Sequence, residues 1–114
     1  MKFLLMIVSD EQGEAARSPA EVERIIAQHQ AVGRELRAAG RWIDGARLRF
    51  GRDAVTVRVR DDRPVVLDGP FAESKEVLGG FYLIEAASRD EAVGWAKKLP
   101  LGPTGAIEVR PLWE

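Results

Sequence analysis

Two short segments, Ser18-Pro19-Ala20-Glu21 and Ser88-Arg89-Asp90-Glu91, each open a helix downstream of an apolar, strand-like run. In such a box the serine hydroxyl accepts a first-turn backbone N–H, and the glutamate three residues on reaches back toward the cap. Pro19 suits the first helical position, where its missing N–H would have had no partner. From the first box, Val22, Ile25, Ile26, His29, Val32, Gly33 and Leu36 recur at steps of three and four, which predicts an amphipathic helix closed by Gly40. From the second, Ala92, Val93, Trp95, Ala96 and Leu99 predict a shorter helix stopped by Pro100.

Strands fill the remainder. Residues 2 to 8 form an apolar run suited to a strand buried on both faces. Trp42-Ile43 and Arg47 to Phe50 read as short extended segments around Asp44-Gly45, followed by a turn at Gly51-Arg52-Asp53. Residues 54 to 60 alternate apolar with polar, and the turn Asp61-Asp62-Arg63-Pro64 leads into Val65-Val66-Leu67, which predicts a hairpin with one wet face. Gly80 to Glu85 and Ala106 to Leu112 supply two further strands. The order predicts two βαβ halves with a hairpin inserted between them, an α+β arrangement of one antiparallel sheet under two helices. Phe81, Leu83, Val109, Val57 and Val59 exceed what one sheet face absorbs, so a homodimer with sheets packed face to face is expected.

At 114 residues and 46% hydrophobic composition the chain has the size of one domain with a full core. Cysteine is absent, which excludes disulfides, a thiol nucleophile and thiolate metal sites. Seventeen basic against eighteen acidic residues leave a net charge of -1, without the excess that accompanies nucleic-acid binding. The clusters Arg47, Arg49, Arg52 and Arg58, Arg60, Arg63 have the spacing of a solvated strand face. The opening run Met1 to Val8 stops at Ser9-Asp10-Glu11 without a small-residue cleavage pattern, and no segment approaches the roughly 20 apolar residues of a membrane span. A cytoplasmic protein with no membrane partner is therefore expected. One histidine among scattered carboxylates lacks metal-site spacing, and neither a phosphate-binding glycine loop nor a nucleophile elbow is present, so no metal or cofactor is expected.

Between two of the strands lies Asp68-Gly69-Pro70-Phe71-Ala72-Glu73-Ser74-Lys75-Glu76. Asp-Gly-Pro is a turn signal, since Asp bonds nearby backbone, Gly tolerates positive φ and Pro fixes its own φ. Glu73, Lys75 and Glu76 read either as solvated ion pairs or as ligand-binding charges, with Lys75 as a point cation. Phe71 and Tyr82 read either as core or as the lining of a small apolar pocket.

The tetrapeptide Asp68-Gly69-Pro70-Phe71, the helix ending Glu35 to Gly40, Thr56 to Arg60, Asp90-Glu91-Ala92 with Trp95-Ala96, and the ending Ile107 to Leu112 together resemble the YCII-related domain family, in its Asp-Gly-Pro-Phe branch. The resemblance implies a ferredoxin-like α+β fold assembled as a dimeric α/β barrel. The wider family resembles lactone-processing enzymes of aromatic breakdown, with a His-Asp pair as the proposed active site. The branch occurs beside alternative sigma factors, which implies a regulatory role as the other reading.

His29, the sole histidine, precedes Gly40 by the spacing that the resemblance implies for the active-site histidine. It also falls on the apolar stripe of its helix, where an imidazole is either a tuned acid or base or a core residue held by a carbonyl or carboxylate. Asp68 is expected either to orient His29 or to cap its own turn, and Asp44 is the rival partner. Two functions follow: a cofactor-free proton-transfer enzyme for a small carboxylated or lactone-like molecule, or a non-catalytic binding module linked to transcription control.

Overall fold

A computed structural model of the chain describes residues 1–71 and 74–114. The first half comprises β1 (Lys2–Asp10), a one-turn α1 (Glu11–Ala15), α2 (Pro19–Ala38) and β2 (Trp42–Arg47). A hairpin of β3 (Val55–Arg60) and β4 (Arg63–Asp68) follows, and β5 (Glu76–Glu85), α3 (Arg89–Ala96) and β6 (Ala106–Pro111) complete the second half. The four-stranded antiparallel sheet runs β2-β5-β1-β6, and β3 and β4 form a separate two-stranded sheet. The order of the larger sheet, with a helix crossing in each half, is consistent with a ferredoxin-like α+β fold.

Both helices begin at the expected serines. Ser18 Oγ accepts the Glu21 N–H at 3.2 Å and Ser88 Oγ accepts the Glu91 N–H at 3.1 Å. In the first box Glu21 Oε1 reaches back to the Ser18 hydroxyl at 3.3 Å, whereas in the second the reciprocal half is spent elsewhere. Glu91 accepts from Ala87 N–H at 3.1 Å, Arg41 Nη2 at 2.9 Å and Trp95 Nε1 at 3.1 Å, which ties α3 to the end of α2. At the far end of α2, Arg41 N–H bonds Leu36 O at 2.8 Å and Gly40 N–H bonds Arg37 O at 3.1 Å, the paired closure that a residue at φ 71° permits.

Alternation along β1 sends Phe3 and Leu5 to the helix side, where they meet Tyr82 and Ile84 of β5, Val32 and Leu36 of α2, and Ala92, Ala96 and Leu99 of and beyond α3. Leu4, Met6, Phe81 and Leu83 take the opposite, helix-free face.

Several expectations need correction. The chain forms two sheets, because the hairpin pairs only within itself among the described residues. Its faces are also the reverse of the expected arrangement: Val55, Val57, Val59 and Val66 are 63 to 73% exposed, whereas Thr56, Val65 and Leu67 on the other side are partly covered. β1 continues through Ser9 to Asp10, whose carboxylate accepts the Gln12 N–H at 3.0 Å and starts the unexpected α1. β2 is one strand ending at Arg47, and Phe50 precedes a single 3-10 turn at Gly51–Asp53. β5 begins at Glu76, four residues earlier than its apolar run, because those residues pair with Val8, Ser9 and Asp10 across a bulge. At the hairpin tip Asp61 and Asp62 have φ 51° and 61°, the two-residue turn whose twist matches the strands.

The Asp-Gly-Pro stretch acts as a fastening. Gly69, at φ 93°, donates its N–H to Ala54 O at 2.8 Å, and its carbonyl accepts the Thr56 hydroxyl at 2.7 Å. Pro70 lies against Gly51, whose N–H donates to Glu11 Oε1 at 2.6 Å. The root of the hairpin is thereby tied to α1.

Candidate functional site

Val32, Gly33 and Leu36 bury the C-terminal half of α2 on the sheet, while Val22, Ile25 and Ile26 of its N-terminal half are only partly covered. The space between that half and the sheet is a cavity of about 680 Å³, within the usual range for small-molecule sites. Its apolar wall includes Ile7, Ile25, Ile26 and Trp42, and its polar groups include His29, Tyr82, Arg37 and Arg47.

His29 and Tyr82 form the centre of the site. His29 Nδ1 and Tyr82 Oη are 2.7 Å apart, and the two rings lie near-parallel with centroids 5.8 Å apart. Trp42 meets Tyr82 edge-on at 5.7 Å and holds the phenol from its other side. The Tyr82 hydroxyl has a second acceptor, the backbone carbonyl of His29 at 3.5 Å. These two acceptors let Tyr82 serve both charge states of the imidazole. It donates to Nδ1 in the neutral tautomer protonated on Nε2; in the neutral tautomer protonated on Nδ1, and in the imidazolium, it accepts from Nδ1–H and turns its own proton to the carbonyl. Nε2 has no partner among the described residues, and none of their buried polar side-chain atoms is left unsatisfied, so Nε2 is not sealed from solvent on a residue that lines the cavity.

Burial lowers the His29 pKa from its ordinary value, with Arg47 reinforcing and Glu14 opposing the shift. Burial also raises Tyr82 to about 12, against the pull of Arg37. At neutral pH the pair is therefore an uncharged imidazole beside a protonated phenol. Two guanidinium groups flank it. Arg37 lies over the Trp42 ring at 4.0 Å, and neither Arg37 nor Arg47 has an ion-pair partner among the described residues. By contrast, Arg17 and Arg49 on the same wall are paired with Glu14 and Asp53. A cation without an ion-pair partner on a concave, partly apolar wall can pair with an anion.

Because the folded-state pKa of His29 lies below the unfolded value, the unfolded chain binds this proton first as pH falls. Stability is complete above about pH 6.5 and declines as pH drops through the folded pKa. The urea midpoint is expected to fall between about pH 7 and pH 5, and His29→Gln is expected to flatten that interval. An unchanged slope in the variant would assign the dependence to other groups.

The other expected site residues lie elsewhere. Asp68, at the exposed end of β4, is not on the cavity wall, so the structure does not bring it together with His29. Asp44 pairs in register with Leu83, whereas its neighbour Gly45 pairs with Tyr82, so Asp44 points to the sheet face opposite α2 and accepts the Gly45 N–H at 2.8 Å. Phe71 is 71% exposed under the Arg58 guanidinium at 4.9 Å, outside the cavity wall. Lys75 is exposed and also away from that wall, and Glu73 lies outside the described residues. Among the described residues no cluster of three His, Asp or Glu is placed to hold a metal ion, and no helix is long and apolar enough to cross a membrane.

Sequence reasoning missed Arg37, Arg47 and Trp42. Arg37 had a signal, since it follows His29 and Gly33 at steps of four along α2. Gly33 makes room there: a Cβ on it would lie 3.2 Å from Arg37 Nη1. Arg47 had none, because its place at the end of β2 is set by pairing with Gly80.

Comparison with known proteins shows the family. An uncharacterised protein of Rhizobium meliloti (strain 1021) is 42% identical over 114 residues, covering 98% of this chain and 92% of that protein. The model of the YCII-related domain matches residues 1–114, and the chain belongs to that family.

Proposed function

We propose that this YCII-related protein is a cofactor-free proton-transfer enzyme acting on a small carboxylated or lactone-like molecule. The observation that carries this reading is the His29–Tyr82 contact at 2.7 Å, in the wall of a cavity that the unpaired Arg37 and Arg47 also line. In the neutral tautomer that carries its proton on Nδ1, the bare Nε2 takes a proton from the carbon next to the substrate carbonyl. Nδ1–H donates to Tyr82 before and after the transfer, with the Tyr82 hydroxyl turned to the His29 carbonyl, so the imidazolium is held without a carboxylate. Arg37 and Arg47 steady the substrate carboxylate and the charge that develops on the carbonyl oxygen. Return of the proton from Nε2 to a different substrate atom completes an isomerisation with no change of oxidation state. The lactone part of the proposal rests on the resemblance to lactone-processing enzymes.

A thermal-shift screen of small carboxylates, lactones and phenolic acids tests the binding half. A ligand at a hundred times its Kd is expected to add ~2.7 kcal/mol of apparent stability, seen as a higher Tm. Arg47→Gln is expected to remove most of that shift for carboxylates and little of it for neutral lactones. Shifts indifferent to Arg47, or none at all in the native protein, would overturn the assignment of the cavity. Binding without deuterium exchange at the ligand's acidic C–H would favour the sensor reading instead.

A further inference from the structure

We propose that the cavity takes a dianion, an α,ω-dicarboxylate held by Arg37 at one end and Arg47 at the other, with its reacting carbon between them at His29 and Tyr82. This names the substrate class of the proton-transfer site and rests on that reading. The register of β2 on β5 sets the spacing. Trp42 pairs with Ile84, Gly45 with Tyr82 and Arg47 with Gly80, so these three residues share the helix-side face of the sheet. Trp42 and Gly45, three apart, would take opposite faces of a regular strand, and the bulge between Trp42 and Asp44 brings them to the same one. Arg37 then lies over the Trp42 ring at 4.0 Å. Two glycines leave just the room that this stack occupies: a Cβ on Gly45 would come within 2.8 Å of the indole, and one on Gly33 within 3.2 Å of Arg37 Nη1. One cation is thereby placed at the Trp42 end of the row and the other at the Arg47 end. Ile84 and Gly80, which mark those ends on β5, are ~13 Å apart, with Tyr82 midway.

The wall between the two cations is largely apolar. Ile7 pairs with Gly80 from β1, and Ile25 and Ile26 line the same space from α2, which suits a methylene chain. The acids on the wall are already engaged. Glu11 accepts the Gly51 N–H, Glu14 is paired with Arg17, and Glu21 accepts from the Ser18 hydroxyl. Arg24 also borders the cavity, but it sits on the outer side of α2, off the stripe of Ile25, Ile26 and His29. An anion at each end complements this pattern, whereas a single carboxylate leaves one guanidinium without an ion pair. Where one end is a 2-oxo acid, the carbonyl oxygen lies beside its own carboxylate, so the same guanidinium steadies the charge that develops on proton removal.

Isothermal titration calorimetry of the native protein at low salt, with adipate and with its monomethyl ester, compares two ligands of similar length that differ by one charge. Adipate is expected to bind roughly 10- to 150-fold tighter, the usual contribution of one hydrogen bond to a charged group. Malonate, whose carboxylates share one carbon, is too short to reach both arginines and is expected to bind like the ester. Arg37→Gln and Arg47→Gln are each expected to bring adipate down to the level of the ester, with far-UV circular dichroism as the check on folding. If either variant fails to fold, adipate against ester and malonate on the native protein decides the matter. Adipate no tighter than the ester, malonate as tight as adipate, or adipate indifferent to a folded arginine variant would each overturn the two-ended site and leave the monocarboxylate reading standing. Failure of all three ligands to bind would remove the carboxylate site itself, and this inference with it.

Discussion

Replacing His29 by alanine is expected to slow deuterium exchange into a bound carboxylate or lactone by about 10²- to 10⁴-fold, the usual contribution of a positioned acid or base. The thermal shift given by the same ligand should persist in that variant, because Arg37 and Arg47 remain. Tyr82→Phe is the sharper companion. It keeps the ring that stacks on His29 and meets Trp42, but removes the oxygen 2.7 Å from Nδ1. The protonated imidazole then lacks an acceptor, which costs ~1–3 kcal/mol or roughly 5- to 150-fold in rate. The acid limb of the pH–rate profile should also move to lower pH, a change that simple loss of packing would not produce. Nuclear magnetic resonance of the ligand in deuterated buffer reads both effects. Exchange at the native rate in His29→Ala would end the proton-transfer reading.

The second large effect is on stability. Leu36 is fully buried between α2 and the sheet, so Leu36→Ala should cost ~2–5 kcal/mol in urea unfolding. Domains of this kind have only ~5–15 kcal/mol in all, and the loss is therefore a large share of the total. Leu36 lies two turns beyond His29 on α2, whereas Tyr82 is on β5. Loosening the helix should thus weaken the His29–Tyr82 contact before the fold is lost, and exchange should slow at temperatures where circular dichroism is still native. A cost below ~1 kcal/mol would show that this half of α2 is not held by its apolar stripe.

These two residues also show what kind of information each level carries. That Leu36 and His29 share one helical face follows from steps of three and four, and the start of that helix at Ser18 follows from a hydroxyl and an N–H three residues apart. Interactions that close within one turn can be read from neighbouring letters. The same holds for the hairpin tip at Asp61-Asp62 and for the turn at Gly69, where backbone sign is a local property. That Asp68 lies apart from His29 was not legible, for the converse reason. Its loop was identified correctly as a turn, but the hairpin it closes stands apart from the sheet that carries Tyr82, and no local pattern says to which body a hairpin root is fastened.

By itself, then, the sequence determined the two capped helices, the alternating strands, the absence of thiol chemistry and the stripe that turns His29 inward. Only the tertiary structure decided that His29 meets Tyr82, 53 residues away, and not an aspartate. It also decided that Arg37 and Arg47 flank the pair and that the valines of the hairpin face outward. The physical reason is separation along the chain. Helix starts and turns are settled by atoms a few residues apart, whereas the partner of a buried imidazole is settled by sheet register and by where a helix leaves the sheet, both set by packing among distant residues.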